Sequence, residues 1–475
     1  MPNDILLLSI VIVSGFYMAW NIGANDVANA MGTSVGSGAL RLGQAVVLAA
    51  ILEFAGAFFF GSHVSETIQK GLIDPHVFMG QPQLLVYGML ASLLAAGVWL
   101  QLASYLGLPV STTHTIVGSV VGFGVIVGGW DAIKWENVGF ILASWVISPL
   151  AGGILAYGLF TILRQKIFYA SHPLLAAKKL APILVFLVVV TLSLVLVFEG
   201  LGNVDLDLST WEALGWGFGM GILGALISYV CLRLMPKQPV VAEKAPAYSA
   251  EISYALDKAK KHLQRVQSAS KGEMHYHVSI LLEEIDGLSN SLKKTLGKEL
   301  IHSEYTAIET IFGYLQIMSA ALMAFAHGAN DVANAIGPLA AAVGILTTGV
   351  VAMQLAVPTW ALALGGIGIV VGLATWGWRV IETIGKKITE LTPSRGFAAE
   401  FGAAATILVA SRLGMPISTT HTLVGAVIGV GLARGIEALN IGMTRDIIIS
   451  WFVTVPAGAF LAVAFFYGIQ LVFGR

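Results

Sequence analysis

Two short polar stretches, each present twice in the chain, contain the residues best suited to chemistry. The first, Gly23–Ala30, reads Gly-Ala-Asn-Asp-Val-Ala-Asn-Ala and recurs letter for letter at Gly328–Ala335. On an α-helix the two asparagines and the aspartate of each copy share one face. Carboxylate and amide oxygens are hard ligands that suit a hard cation. We therefore expect a sodium site built from Asp26, Asn29, Asp331 and Asn334.

The second stretch has the pattern Leu-Gly-x-Pro-x-Ser-Thr-Thr-His-Thr and occupies 106–115 and 413–422. Proline in the first turn and serine or threonine at the cap predict a helix start. A helix start offers unpaired N–H groups and a positive dipole end, which bind anions. We expect two such starts to grip a tetrahedral oxyanion through Ser111, Thr112, Thr113, Ser418, Thr419, Thr420, Asn25 and Asn330.

Each polar stretch also has a purely structural interpretation. The asparagines could tie helices together while Asp26 caps one, and the hydroxyl groups could bond to their own backbone. An ionisable group in apolar surroundings is costly, which favours function, and the duplication strengthens that preference. His114 and His421 follow the threonines, where a supporting or coupling role is expected more than direct ligation.

An enzyme is the weaker alternative for these residues. Ser111 or Ser418 would be the nucleophile and the nearby histidine its base. A hydrolase needs one such site, whereas both residues are duplicated here. We therefore predict that the chain is not an enzyme and needs no cofactor.

The composition predicts a membrane protein. Hydrophobic residues make up 56% of the chain and charged residues 11%, and the mean hydropathy is +0.82. A soluble domain carries about 25% charged residues. Apolar runs of about 20 residues predict about twelve membrane segments in an all-α polytopic fold, the first of them a retained helix. The predicted segments lie at about 5–22, 42–62, 83–107, 110–128, 138–163, 180–198, 213–235, 309–327, 346–373, 398–413, 416–437 and 447–472. The single cysteine, Cys231, excludes an internal disulfide.

The predicted organisation has four parts. Residues 1–163 form a first repeat and 306–475 a second, each with about five membrane segments. Residues 164–235 add two helices, and 236–305 form a charged helical loop, more typical of a solvated linker than of a regulatory domain. The segments 110–128 and 416–437 are glycine-rich and open with proline, so re-entrant or broken helices are expected there.

The basic loops predict the orientation. They all lie on one face if both termini are outside and the central loop is cytoplasmic. The second repeat begins an odd number of spans after the first, so the two repeats enter the membrane in opposite directions. Inverted repeats are typical of secondary transporters, whose sites lie between the repeats near mid-membrane. A passive channel remains an alternative.

These motifs resemble the inorganic phosphate transporter (PiT) family of sodium- or proton-coupled symporters. The match consists of both Gly-Ala-Asn-Asp stretches, both Pro-x-Ser-Thr-Thr-His runs, and Thr392–Phe397 followed by Glu400. The resemblance implies that the polar residues of these motifs build the ion and phosphate sites. It also implies a role for a glutamate in the second span, here Glu53, as a sodium ligand, and for Glu400 in coupling or support. Residues 83–107 lack an acid that some members carry in the third span, which leaves the coupling ion open.

The expected function is sodium-coupled symport of inorganic phosphate across the inner (plasma) membrane. Proton coupling through Asp26, Asp331, Glu53 or Glu400 is one alternative, and sulfate or another tetrahedral oxyanion is a second. Phosphate is favoured over sulfate because it keeps a proton that it can donate to a carboxylate. The expected partners are phosphate, the coupling cation and the lipid bilayer, with no nucleic acid, and homodimer formation is left open.

Overall fold

The computed structural model describes residues 2–61, 72–200, 209–234, 248–296, 298–351, 357–412 and 417–474, and these are almost entirely helical. Within those ranges the extended pairings are two isolated bridges, Ile73 with Ile133 and Thr389 with Leu439. Nine helical stretches of the described residues are long and apolar enough to cross a membrane. The predicted all-α polytopic membrane fold is confirmed.

The helices follow the chain in three groups. The first group is α1 Pro2–Asn25, α2 Val27–Ser37, α3 Leu42–Phe60, α4 Pro82–Leu106, α5 Thr112–Gly128 and α6 Trp135–Leu163. The middle group is α7 Pro173–Gly200, α8 Thr210–Leu234, α9 Tyr248–Ala269 and α10 Glu273–Leu296. The last group is α11 Lys298–Thr348, α12 Thr359–Trp376, α13 Trp378–Lys386, α14 Pro393–Arg412, α15 Thr419–Arg434 and α16 Ile441–Phe473.

Three of the predicted membrane segments, 110–128, 398–413 and 416–437, are not among the nine candidate spans of the described residues. Two of them correspond to α5, with 17 residues, and α15, with 16 residues. Crossing the hydrocarbon core takes about 20 residues, so neither helix is long enough to span it unaided. The count of twelve and the inversion of the repeats stay predictions.

The two copies of the Asn-Asp stretch differ in their helices. The first copy interrupts its helix, because α1 ends at Asn25 and α2 begins at Val27. The second copy lies inside the uninterrupted α11, which continues past Pro338 to Thr348. The predicted segment 346–373 therefore began too early, since α12 starts only at Thr359. Apolar periodicity cannot separate the end of one buried helix from the start of the next.

Helices of each half pack against helices of the other half. Helix α1 packs on α12 of the other half, and α11 packs on α3. A Cβ added at Gly23 would lie 1.9 Å from the Ile369 carbonyl oxygen, and one at Gly328 would lie 2.3 Å from that of Glu53. Only glycine allows backbones to approach so closely. The equivalent glycines thus make equivalent contacts across the halves, as two duplicated units related by a two-fold axis would.

The charged segment between the halves contains α9 and α10, which pack on each other. Lys260 Nζ lies 2.5 Å from Asp286 Oδ1 across this pair. The hairpin is tied to the loop before α14 by an ion pair of Lys258 with Glu390. Burial, together with Arg434 and Arg395, lowers the pKa of Lys258 to about 8. The hairpin therefore docks at a crowded group of positive charges, and the predicted four-part division itself stays a prediction.

Candidate ion and oxyanion site between the two halves

Each short helix begins at a serine cap. Ser111 Oγ accepts a hydrogen bond from the backbone N–H of His114 at 3.2 Å, and Ser418 Oγ accepts one from His421 at 3.2 Å. These bonds satisfy N–H groups that the first helical turn leaves unpaired. The serine oxygens are thus engaged in capping, and their contact with an anion stays a prediction.

The threonines after each cap meet the aspartate of the same half. Thr112 Oγ1 donates to Asp26 Oδ2 at 2.6 Å, and Thr419 Oγ1 donates to Asp331 Oδ2 at 3.0 Å. Both aspartates are buried, with 0% and 1% of their surface exposed. The structure therefore brings together, in both halves, the residue predicted to bind a cation and one predicted to bind an anion.

The asparagines join the two halves into one cluster. Asn29 Nδ2 donates to Thr420 Oγ1 at 2.8 Å, which lies in the opposite half. Asn334 Nδ2 donates to Thr112 Oγ1 at 3.1 Å and to Thr113 Oγ1 at 3.4 Å, again across the halves. Each Asn-Asp face thus contacts both helix starts, so the cluster contains residues of both halves.

His327 is a member of this cluster that the sequence motifs did not indicate. Its Nε2 lies 2.8 Å from Asp331 Oδ2, and its Nδ1 lies 2.8 Å from Glu53 Oε2. All three residues are buried. The signal was present in the duplication itself, because Ile22 stands directly before the first copy and His327 directly before the second. Glu53 therefore contacts the cluster through His327. Its direct ligation of sodium stays a prediction.

Buried oxygens with unused lone pairs point to a cation. Among the described residues, Asn29 Oδ1 and Asp331 Oδ1 are buried side-chain atoms without a hydrogen-bond partner. One ligand atom each from Asp26, His327 and Asp331 lie within 4.8 Å of one another. An unpaired buried acceptor costs about 1–3 kcal/mol, which a bound cation would relieve. The donor set, mostly hard oxygens, fits sodium.

Two further predicted phosphate ligands are Asn25 and Asn330. Asn25 Nδ2 donates to Ser104 Oγ at 3.0 Å and to the Leu108 carbonyl at 3.1 Å, while Asn25 Oδ1 accepts from the Val110 N–H at 3.1 Å. Its amide therefore holds the loop before α5. Asn330 is half-buried, and the equivalent loop at 413–416, including Pro416, lies outside the described residues. Direct phosphate contacts of both asparagines stay predictions.

Glu400 lies in a second buried polar group. It accepts from Ser34 Oγ at 2.7 Å, from Ser319 Oγ at 2.5 Å and from Gln316 Nε2 at 3.3 Å, and it also accepts from Thr33. Thr33 follows Asp26 on α2 by seven residues, which is about 10 Å along a helix. The predicted coupling residue is thus near the aspartate cluster but separate from it.

The two predicted histidines lie in the first turns of α5 and α15 and pack against each other. The rings of His114 and His421 meet edge to face at 4.0 Å between centroids. His114 stacks on Trp145 at 3.5 Å, and His421 stacks on Trp451 at 3.6 Å. Neither ring contacts the aspartates through a hydrogen bond, which agrees with a supporting position.

Thr113→Val and Thr420→Val test the anion side of the site. Valine has a similar volume but no hydroxyl group, so each change should raise the apparent KM for phosphate about ten-fold, as expected for loss of roughly 1.4 kcal/mol. Activation by the cation should change less. Initial rates of labelled phosphate uptake at several phosphate and sodium concentrations measure both, and Thr347→Val, at the exposed end of α11, is the control. Equal phosphate KM values in all three variants would contradict the assignment.

Known proteins match this chain over most of its length. A family model described as the phosphate transporter family matches residues 22–462. The chain is 46% identical to inorganic phosphate transporter 2-1, chloroplastic, of Arabidopsis thaliana over 97% of this chain and 72% of that protein. A solved structure of a sodium-dependent phosphate transporter is 36% identical, with a TM-score of 0.78, and the match covers 98% of this chain and 100% of that one. The prediction of a transporter in place of an enzyme is confirmed. The chain belongs to the phosphate transporter family.

Proposed function

We propose that the chain is a secondary active transporter that moves inorganic phosphate inward together with sodium. The proposal depends on one observation: buried Asp26 and Asp331 accept hydrogen bonds from the first residues of α5 and α15. The aspartates and asparagines would hold sodium, and Thr113 and Thr420 would contact the oxyanion. The similarity to a solved sodium-dependent phosphate transporter supports the same ion.

Electrostatics explains why the two ligands would move together. A phosphate anion alone would meet carboxylates in a cluster that is buried from water, where charges interact strongly. A sodium ion between the carboxylates and the anion offsets that repulsion. Only the loaded pair can then be enclosed at low cost, because an unpaired buried charge is strongly unfavourable. Coupling follows from this requirement.

The membrane arrangement is part of the proposal. From the basic loops we infer that the chain lies in the inner (plasma) membrane, with both termini outside and the α9–α10 hairpin in the cytoplasm. The two halves would then have opposite orientations, and the site between them would lie near mid-membrane. Thiol labelling of single cysteines introduced near either end, in a Cys231→Ser background, would report the orientation.

Sodium dependence of uptake tests the proposal. Purified protein is reconstituted into liposomes, and uptake of labelled phosphate is measured with an inward sodium gradient or with an inward proton gradient in sodium-free buffer. We expect accumulation above the outside concentration with sodium alone. Uptake that follows the proton gradient and ignores sodium would show proton coupling instead.

Two further arms separate the remaining alternatives. Excess sulfate should leave phosphate uptake nearly unchanged, because sulfate has no proton to donate to the carboxylates near neutral pH. Loss of uptake in excess sulfate would indicate a general oxyanion transporter. Accumulation of phosphate against its gradient excludes a passive channel, whereas equilibration alone would support one.

A further inference from the structure

The packing of α15 on α6 places His421 opposite Trp145. A Cβ added at Gly425 would lie 2.2 Å from the Pro149 carbonyl oxygen, and one at Gly429 would lie 2.1 Å from that of Gly153. The two contacts advance by one helical turn on both helices, so the helices run parallel in register. One turn earlier, the same register brings His421 against the backbone of Trp145.

Proline leaves a carbonyl without its helical donor at this point. Helix α6 continues through Pro149, which has no backbone N–H. The carbonyl that an N–H at position 149 would normally satisfy is four residues earlier, at Trp145. In membrane helices such carbonyls are satisfied by neighbouring helices, by serine or threonine side chains, by ordered water or by local adjustment of the backbone. A side chain of the neighbouring helix α15 is one such donor.

His421 is the polar side chain in position to supply that donor. The residue is 2% exposed, and its two ring nitrogens have no hydrogen bond of regular geometry to any described residue. The ring is nevertheless close enough to the backbone of Trp145 to interact with it. Stacking on Trp451, with 3.6 Å between the ring centroids, holds the plane of the His421 ring.

We propose that the imidazole of His421 replaces the N–H that Pro149 lacks, and thereby fixes the start of α15 on α6. Thr419 and Thr420 directly precede His421 in the first turn of α15. A displaced first turn would move their hydroxyl groups relative to the oxyanion. His421 is therefore a positioning residue that acts as a neutral hydrogen-bond donor, and it neither carries protons nor touches the anion.

The equivalent pair of helices has the same contact of a histidine with the backbone of a tryptophan, but its proline is one residue further along. Helix α5 packs on α16 with Gly118 against the Val455 carbonyl, so His114 faces Trp451 one turn earlier. Pro456 deprives Phe452 of its donor, not Trp451, because the proline is one residue further along. The pair of His114 and Pro456 is thus a matched control within the same protein.

A double-mutant cycle tests the inference. His421→Phe keeps an aromatic ring for stacking but removes the donor, and Pro149→Ala restores an N–H to α6. We expect His421→Phe to raise the apparent phosphate KM about ten-fold and to lower the melting temperature of the purified protein. Adding Pro149→Ala should return both values most of the way, and the two changes should be strongly non-additive.

The melting temperature does not depend on the proposed substrate, whereas the KM readout rests on it, so failures of the two proposals are distinguishable. In the first half, Pro456→Ala should give no specific recovery of His114→Phe. The inference is overturned if His421→Phe is unaltered in both readouts. It is also overturned if Pro149→Ala raises the melting temperature equally in the wild-type and His421→Phe backgrounds. Equal coupling energies in the His421–Pro149 and His114–Pro456 cycles would overturn it as well. Should His421→Phe yield too little protein, recovery of yield by Pro149→Ala supports the inference and its absence refutes it.

Discussion

Asp26→Asn and Asp331→Asn are each expected to reduce phosphate uptake at fixed sodium by on the order of 100-fold or more. Either change removes one buried carboxylate while it keeps an oxygen ligand and the side-chain shape. Truncating one member of a buried charge pair costs about 2–5 kcal/mol in affinity, and the two aspartates are buried and accept hydrogen bonds from Thr112 and Thr419 at the starts of α5 and α15. Sodium activation should weaken first, and phosphate affinity should fall with it, because coupling between two ligands is reciprocal.

The measurement is uptake over a grid of sodium and phosphate concentrations in proteoliposomes. Asp446→Asn is the control, since Asp446 is a surface residue that pairs with Arg445 at 2.9 Å. Both aspartate variants should shift the sodium midpoint, and the control should not. Normal sodium activation in the variants, or sensitivity in only one half, would contradict a shared site. One half would then hold the ligands and the other would support it.

Local sequence patterns indicated which residues of the duplicated motifs belong to this candidate cluster, and their ligand roles stay predictions. The Asn-Asp face and the Ser-Thr-Thr helix start each depend on residues a few positions apart, so spacing alone indicates their local geometry. In the folded chain, the bond from Thr112 to Asp26 and its equivalent from Thr419 to Asp331 join the two motifs of each half.

The contacts that sequence reasoning missed depend on distant residues. Asn25 looks equivalent to its neighbours, yet its amide is taken up by the loop at 104–110, which only the folded chain brings near. Helix periodicity also does not show that α1 packs on α12 and α11 on α3. Close glycine contacts such as Gly23 on Ile369 set that packing. The repeated motifs therefore indicate the contacts that both halves share, but not the contacts that differ between them.

The asymmetry between the halves is centred on His327 and Glu53. Gly23 packs against the Ile369 carbonyl as Gly328 packs against that of Glu53, so Ile369 is the equivalent of Glu53. Ile22 is likewise the equivalent of His327, because each directly precedes its copy of the motif. One half thus has an apolar pair where the other has a histidine between two carboxylates. The polar pair is thus present in only one of the two halves.

His327→Ile is expected to be the most damaging single change outside the aspartates. It leaves Glu53 and Asp331 buried without the imidazole that separates them, and breaking such a group costs about 3–5 kcal/mol. The melting temperature of the purified protein and its phosphate uptake should both fall sharply. The double variant His327→Ile with Glu53→Ile copies the apolar pair of the first half and leaves no orphaned Glu53 carboxylate. It should recover part of the melting temperature, because the buried carboxylate of Glu53 is removed together with the imidazole, while Asp331 keeps its hydrogen bond from Thr419.

Uptake by the double variant then separates structure from transport. If the pair only supports the fold, uptake should return together with the melting temperature. We expect uptake to stay low while part of the stability recovers, because Asp331 Oδ2 has lost one of its two neighbours, His327, and keeps only Thr419. The Oδ1 atom, which has no hydrogen-bond partner, is then less firmly oriented toward a cation. Sodium activation should shift to higher concentration in the residual activity. Normal uptake by His327→Ile, or full recovery of sodium activation in the double variant, would show that the histidine has no part in ion coupling.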